Sequence, residues 1–529
     1  MPTKVRRRSM DSEDPFTMAL EPPDGETEEQ RQCRLLLEKE AKDISDAIDE
    51  QLTQEKAQEK KGPRPVKVLL LGQSESGKST ILKNFQLMYD PKAFRAERAS
   101  WRAIVQLNVV RSIHVILDVI TRAQSRRPTT GENGSPDSPV VDDELATLKM
   151  RLSPLIRVEE VLMQRLIPIG PDKSDAARLA QLTNIPYSEL PRNVNREVAV
   201  HSANPWKDVF KRLKGIDDNE SFDSEKAIDW EDPTDPGVVL HALAEDMKAL
   251  WSNQTVQALL DRQNLRLQEA AGFFLDCLDD VTSLKYMPSD GVDHILRARL
   301  KTLGVSEHRI KMTSGGLTGS ISRDWRIYDG AYEHPEAYPP GSLTTPVRFS
   351  WRTPVSGESL LFFGRLIACS CRFCTSERHG HHTSTTCKHS IIFLCPISAF
   401  DQVLAEEPRV NRLADSVNLW TTIVSNKLLA STNIILFLNK IDVMRTKLES
   451  GIKLVDYVNS YAKRSNDLET ASSYLRKKFA GIQRENSPSP RVFYCHLTTA
   501  TDRKSTQIVL ANIKDQLMHQ YLNDAALLP

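Results

Sequence analysis

From Glu26 to about Lys61 the chain has no Gly or Pro, and Leu37, Ala41, Ile44, Ile48 and Leu52 recur at helical spacing on an otherwise charged surface. That pattern predicts one long amphipathic helix over 26–61, with a thin apolar stripe suited to another chain, against the plainer reading of a solvated charged helix. Val66–Leu71 is apolar apart from Lys67 and is closed by Gly72, as in a parallel strand buried on both faces. Similar runs recur at Ile391–Cys395, Ile434–Leu438 and Val492–Tyr494, alternating with helical stretches. The fold class predicted is therefore α/β, a doubly wound sheet. Between about 85 and 289 the periodicity is helical alone, with one stripe at Val109, Ile113, Ile116 and Ile120 and another at Leu240, Leu243, Met247 and Leu250. The division expected is a sheet domain over 62–84 and 290–529 interrupted by an all-helical insert over 85–289.

Composition narrows the class. The chain has 529 residues, 40% of them hydrophobic, enough for two folded units with tails. Lys plus Arg number 70 against 70 Asp plus Glu, which removes the electrostatic case for bulk nucleic-acid binding. No apolar run approaches the roughly 20 residues that span a bilayer, and Met1-Pro-Thr-Lys-Val-Arg-Arg-Arg has no signal-peptide core, so a cytoplasmic protein is expected. Eight cysteines in this length make no disulfide framework; Cys277, Cys395 and Cys495 sit in apolar segments as reduced thiols. Residues 1–25, Arg126–Pro139 and Gly215–Gly237 have the Pro-, Gly- and acid-rich composition of unstructured chain.

Two motifs carry chemistry. Gly72-Gln-Ser-Glu-Ser-Gly77-Lys78-Ser79 fits G-x-x-x-x-G-K-[ST] between a strand and a helix. Its glycines let backbone N–H groups close around phosphates, Lys78 reaches the β- and γ-oxygens, and the Ser79 hydroxyl suits Mg²⁺. This loop does not separate ATP from GTP. Asn439-Lys440-Ile441-Asp442, directly after a late strand, does: the Asp442 carboxylate accepts from two guanine donors that adenine lacks, and the Lys440 stem covers the base.

With these residues in place the chain resembles the G-protein α subunits, most closely the divergent fungal members. Val68-Leu-Leu-Leu-Gly-Gln-Ser-Glu-Ser-Gly-Lys-Ser-Thr80 looks like their P-loop, Asp293-His-Ile-Leu-Arg-Ala-Arg299-Leu-Lys-Thr302 like switch I, Phe393-Leu-Cys-Pro-Ile-Ser-Ala-Phe-Asp401 like the strand and turn after switch II, and Thr498-Thr-Ala-Thr-Asp502 like the loop capping guanine. The resemblance covers most of 26–90, 270–329 and 390–529, and implies a Ras-like GTPase domain carrying an inserted helical domain. It implies GTP or GDP bound with Mg²⁺ by Glu75, Ser76, Gly77, Lys78, Ser79, Thr80, Leu296, Arg297, Thr302, Asn439, Lys440, Asp442, Thr499 and Ala500. Arg299 would be the arginine finger that stabilises charge on the γ-phosphoryl group. Ser79 and Thr302 would complete the Mg²⁺ shell near Asp329. The partners implied are a βγ dimer, a G-protein-coupled receptor and a downstream effector, and no nucleic acid.

The pattern breaks at switch II. Where the family has Asp-Val-Gly-Gly-Gln-Arg, Asp329 is followed by Gly330-Ala-Tyr-Glu, and no glutamine follows until Gln402. Ser74 replaces a glycine beside the γ-phosphate. Both departures point to slow GTP hydrolysis, the rival reading being a GTP-binding scaffold without useful hydrolysis. An ATP-dependent P-loop enzyme is disfavoured by Asn439, Lys440 and Asp442. Residues 330–389 form an atypical insertion with Cys369, Cys371, Cys374, His379, His381, His382, Cys387 and His389. Thiolates and imidazoles are zinc ligands, but the spacing matches no familiar finger, and inserted or mistranslated sequence is favoured. Pro2 stands where myristoylation needs Gly, so peripheral contact with the inner face of the plasma membrane would rest on Arg6–Arg8 or on partners. The tail keeps Leu527 and Leu528, which resemble the family's receptor-contacting end.

Overall fold

The computed structural model describes residues 27–61, 65–125, 143–166, 199–201, 230–330 and 389–524, apart from 231, 233–234, 264, 270–271, 289–292, 300, 304, 317–318, 405–408 and 500–502. The tail over 1–25, Arg126–Pro139, the Cys- and His-bearing stretch 331–388 except its boundary, and Leu527 and Leu528 lie outside the described residues. The chain divides into two compact units, Met1–Pro65 and Val66–Pro529. The first holds helix α1 (Glu28–Lys61), on which Leu37, Ile44 and Ile48 are all more than half exposed.

In the second unit, strand β1 (Val66–Leu71) leads through a loop to α2 (Lys78–Tyr89). The helical portion follows: α3 (Arg98–Ser125), α4 (Asp143–Arg151), α5 (Leu155–Leu166), the short strand β2 (Ala199–His201), α6 (Pro236–Ala242), α7 (Ala244–Ser252) and α8 (Gln254–Arg262). The chain then returns through α9 (Asp293–Arg297), β3 (Lys301–Leu303), β4 (Val305–Gly316), β5 (Gly319–Gly330), β6 (His389–Pro396), α10 (Arg412–Ser425), β7 (Asn433–Asn439), α11 (Ile441–Glu449), α12 (Leu468–Asn486), β8 (Tyr494–Thr498) and α13 (Arg503–Asp524).

Six strands form one sheet in the order β4-β5-β1-β6-β7-β8, parallel throughout except for the antiparallel β4–β5 pair. Alternation along each strand sends side chains to two helical layers. Leu69, Leu71, Ile391, Phe393, Leu436 and Leu438 meet Trp420 of α10 and Phe479 of α12 on one face. Val68, Leu70, Ile392, Leu394, Ile435 and Phe437 meet Ile81 and Phe85 of α2 and Leu510 and Ile513 of α13 on the other. Cys395 lies fully inside the first layer, where burial pushes its thiol up to about 12.

The last strand lies later than its hydrophobic run predicts. Ser489 Oγ and Arg491 are tied to the carbonyls of Ala430 and Leu429, which hold Val492 off the sheet, 67% exposed. Pairing with β7 starts only at Tyr494, opposite Ile435.

The helical portion packs around α3, whose Val109, Ile113, Ile116 and Ile120 are fully buried. Contrary to the expectation that no apolar run approaches a membrane-spanning length, Ser100–Gln124 is long and apolar enough to cross a membrane; its apolar positions instead form the centre of this core, because the helices around α3 cover them. The stripe through Leu240 and Leu250 is carried by two helices, because the backbone at Leu243 leaves helical geometry. The span 85–289 is also not wholly helical, since Ala199–His201 pairs in parallel with Lys301–Leu303.

The end of Gly215–Gly237 is ordered, contrary to its composition. Asp235 caps α6 by accepting from the Gly237 N–H at 2.7 Å, and its carboxylate takes Arg102 at 2.8 and 3.1 Å and Arg165 at 3.2 Å. Arg102 also donates to the Tyr286 carbonyl. Burial pushes the Asp235 carboxyl up, but its bonds to Arg102, Gly237 and Arg165 outweigh that and hold it below its ordinary 3.8. Asp235→Ala should destabilise the protein by about 3–5 kcal/mol at neutral pH, because it leaves a buried guanidinium unpaired. A folded-state pKa below the unfolded one means the native pair stabilises above about pH 4 and is lost on further acidification, so the deficit should narrow there. Denaturant titrations at pH 7 and pH 3 check both statements.

Candidate nucleotide-binding site

The parallel strands β1, β6, β7 and β8 end at one edge of the sheet, and the sequence motifs sit in the loops leaving that edge. Gly72 begins the first loop at a φ of +145°; a Cβ there would lie 2.4 Å from the Leu394 carbonyl oxygen, so only glycine lets the loop leave β1 beside β6. Glu75 and Gly77 also take left-handed φ values, 59° and 101°, and the loop curls back on itself before α2 starts at Lys78. No side chain caps α2, leaving its first N–H groups for an anion.

Lys78 is buried, donating to the Gly72 and Gln73 carbonyls at 2.8 and 2.7 Å. Burial pushes its ammonium down to about 8, with Asp329 opposing and Arg412 adding to the shift. Ser79 donates to Asp329 Oδ2 at 2.9 Å, and Asp329, near the end of β5 opposite Leu70, is only 5% exposed. Thr80 donates to the Leu296 carbonyl at 3.3 Å, and Lys83 donates to the Ile295 and Ala298 carbonyls, both at 2.9 Å, with its ammonium 4.1 Å from the Trp101 ring.

Glu75 is ringed by cations. Its carboxylate takes Arg299 at 2.5 Å on Oε1 and Arg412 at 3.3 Å on Oε2, with Lys440 close by. Burial raises its pKa, but these three charges outweigh burial and hold the carboxyl below its ordinary range. Arg412 also donates to the Ser74 carbonyl at 2.8 Å and to Gln402 Oε1 at 2.9 Å, so the first glutamine after Asp329 belongs to this network. Ser74 itself is exposed at the loop rim.

On the far side, Asn439 is fully buried and donates to the Ser76 carbonyl at 2.8 Å while accepting from Thr498 at 3.1 Å. It thus ties the first loop to the ends of β7 and β8. Lys440 follows in left-handed conformation, φ 61°, and starts α11, placing Asp442 in the exposed first turn. The Thr499 carbonyl accepts from Thr506 at 2.9 Å; Ala500 lies outside the described residues. Arg297 is directed at Asp276 and the Phe273 carbonyl. Thr302 stands in β3 opposite Val200, its side chain outside the described set. The structure thus gathers the residues of 75–80, 299, 329 and 439–442 at one edge, and leaves Arg297 facing the helical portion.

Arg412, Asn108 and Lys83 carry no local sequence signal for a place in this site. Asn108 bonds the backbone of Arg299 191 residues away, and Arg412 reaches Glu75 across 337, separations at which no local spacing signals contact.

A family model for the G-protein alpha subunit matches residues 42–335 and 373–517. The chain belongs to this family. It is similar to the guanine nucleotide-binding protein alpha-4 subunit of Mycosarcoma maydis, 28% identical over 97% of this chain and 95% of that one. The alpha subunit of Candida albicans (strain WO-1) is 25% identical over 92% and 95%, and subunit alpha-13 of Mus musculus 25% over 95% and 94%. The subunit is therefore a guanine nucleotide-binding signal transducer with the Ras-like and helical parts of its family, whose members in general are GTPases and partner with βγ, receptors and effectors. The match omits 336–372, inside the atypical stretch at switch II.

With Lys78 against the phosphates, as its motif implies, its lowered pKa should make nucleotide binding proton-linked. Phosphate favours the charged ammonium, so at pH 8 GDP binding should take up about half a proton, and affinity should fall as pH rises through 8. Calorimetry in two buffers of different ionisation enthalpy measures the uptake; an enthalpy independent of buffer would rule the linkage out.

Proposed function

We propose that this α subunit is a slow, Mg²⁺-dependent GTPase switch that couples a G-protein-coupled receptor and a βγ dimer to an effector from the cytoplasmic side, at the inner face of the plasma membrane. The observation that carries the reading is the convergence of Lys78, Ser79, Asp329, Arg299 and Asn439 around one phosphate-sized loop. The buried Asp329 carboxylate and the Ser79 hydroxyl, 2.9 Å apart, are hard oxygen donors of the kind Mg²⁺ takes alongside waters and phosphate oxygens. Ser79, Thr302 and Asp329 would hold the ion, which neutralises charge on the β- and γ-phosphates.

The protein's own groups then act as follows. The uncapped N–H groups of α2 and the Lys78 ammonium bind the phosphates, and the loop's backbone does so without reorganising. Asp442 and Lys440, with Thr499 and Ala500, take the base, Asn439 holding their loop against Ser76. Arg299, poised on Glu75, moves its guanidinium to the γ-phosphoryl as negative charge develops there. Ser74 crowds the attacking water, and the sequence has no glutamine between Asp329 and Gln402 to orient it, so hydrolysis is slow.

Asp442→Asn should move preference from guanine to xanthine nucleotides; a variant that keeps its guanine preference in competition binding would remove Asp442 from this role. Arg299→Ala should lower single-turnover hydrolysis by about 10³–10⁵, the range known for arginine fingers of this same family, while GDP affinity stays nearly intact. If Arg299 serves only to pair with Glu75, the variant releases GDP faster and cleaves GTP at an unchanged rate.

A further inference from the structure

Arg299 is held in place from the helical portion. Asn108, in the middle of α3, meets its backbone twice: Nδ2 donates to the Arg299 carbonyl at 2.9 Å, and Oδ1 accepts from the Arg299 N–H at 2.7 Å. One side-chain amide thus satisfies both main-chain groups of one residue, as a neighbouring strand would. Asn108 is 7% exposed, so water does not compete for either bond.

The contact is enforced by Gly272, whose φ is +83° and whose N–H donates to the Arg297 carbonyl at 2.9 Å. A Cβ on Gly272 would lie 2.7 Å from Asn108 Oδ1 and 3.0 Å from Arg299 Cβ, so only glycine leaves room for the pair. On the opposite side Lys83 holds the Ala298 carbonyl. The Arg299 Cα is therefore located between the insert and α2, and the guanidinium leaves that fixed point toward Glu75. An arginine has several rotatable bonds, and its reach to a phosphoryl group is set first by where its backbone stands; a displacement of about 1 Å is enough to cost a large part of its effect.

We propose that Asn108 is a positioning residue for Arg299, through which the helical insert sets the geometry of GTP hydrolysis. This rests on the catalytic reading of Arg299 given above. Asn108→Ala removes both bonds and should slow single-turnover hydrolysis on the order of tenfold in the full-length protein with Mg²⁺. In an Arg299→Ala background the same substitution should change the residual rate less than about twofold, since residues acting as one unit are not additive. Equal fractional losses in the two backgrounds would overturn the proposal.

A second readout does not depend on turnover. Amide hydrogen exchange of the GDP-bound protein should show the Arg299 N–H protected in the wild type and at least tenfold faster in Asn108→Ala. If wild-type protein cleaves no GTP, the hydrolysis reading fails while the exchange rate still decides the clamp. If Asn108→Ala does not fold, Asn108→Ser and the protection of the wild-type Arg299 amide carry the test. A wild-type Arg299 amide that exchanges as fast as exposed chain would overturn the clamp.

Discussion

Parallel pairing of β1, β6, β7 and β8 is the constraint on which the rest of the molecule depends. Parallel neighbours require a crossover between each strand and the next, and those crossovers cover both faces with helices, so every residue of β1 but Lys67 is buried. The same connectivity delivers four strand ends to one edge, where the loop at 72–77, the Asn439 turn and the end of β8 meet. Substituting Gly72 would push the first of these loops off the Leu394 carbonyl and separate groups whose chemistry requires contact.

What could be read in the sequence is what the backbone dictates locally. Gly72, Gly77, Lys78 and Ser79 are legible because their spacing is fixed by one loop and one helix turn, and Asn439, Lys440 and Asp442 because they lie in a single turn after β7. The buried strands are legible because both faces are apolar, except that β8 is displaced by anchors at Ser489 and Arg491, polar residues whose partners no periodicity reveals. Asp235 reads as part of an acidic loop because its guanidinium partners, Arg102 and Arg165, are 133 and 70 residues away. Asn108 carries no signal in the sequence for the same reason, since only the fold supplies Arg299.

The Glu75 carboxylate organises the charged side of the site. Arg299, Arg412 and Lys440 would repel one another, and the Glu75 carboxylate between them offsets that repulsion. Because Arg412 also holds the Ser74 carbonyl, this pairing orders the loop rim while it stores Arg299.

Asn439 has a further consequence. Its amide bonds Ser76, in the loop proposed to take phosphate, and Thr498, just before the loop proposed to cap the base, so the two proposed subsites share one connector. Ordering either side lowers the entropy that remains to be lost at the other. On the proposed reading, a ligand long enough to occupy both ends would be held more tightly than the separate affinities of its fragments combined would suggest, and neither nucleoside nor inorganic phosphate alone would reproduce its grip.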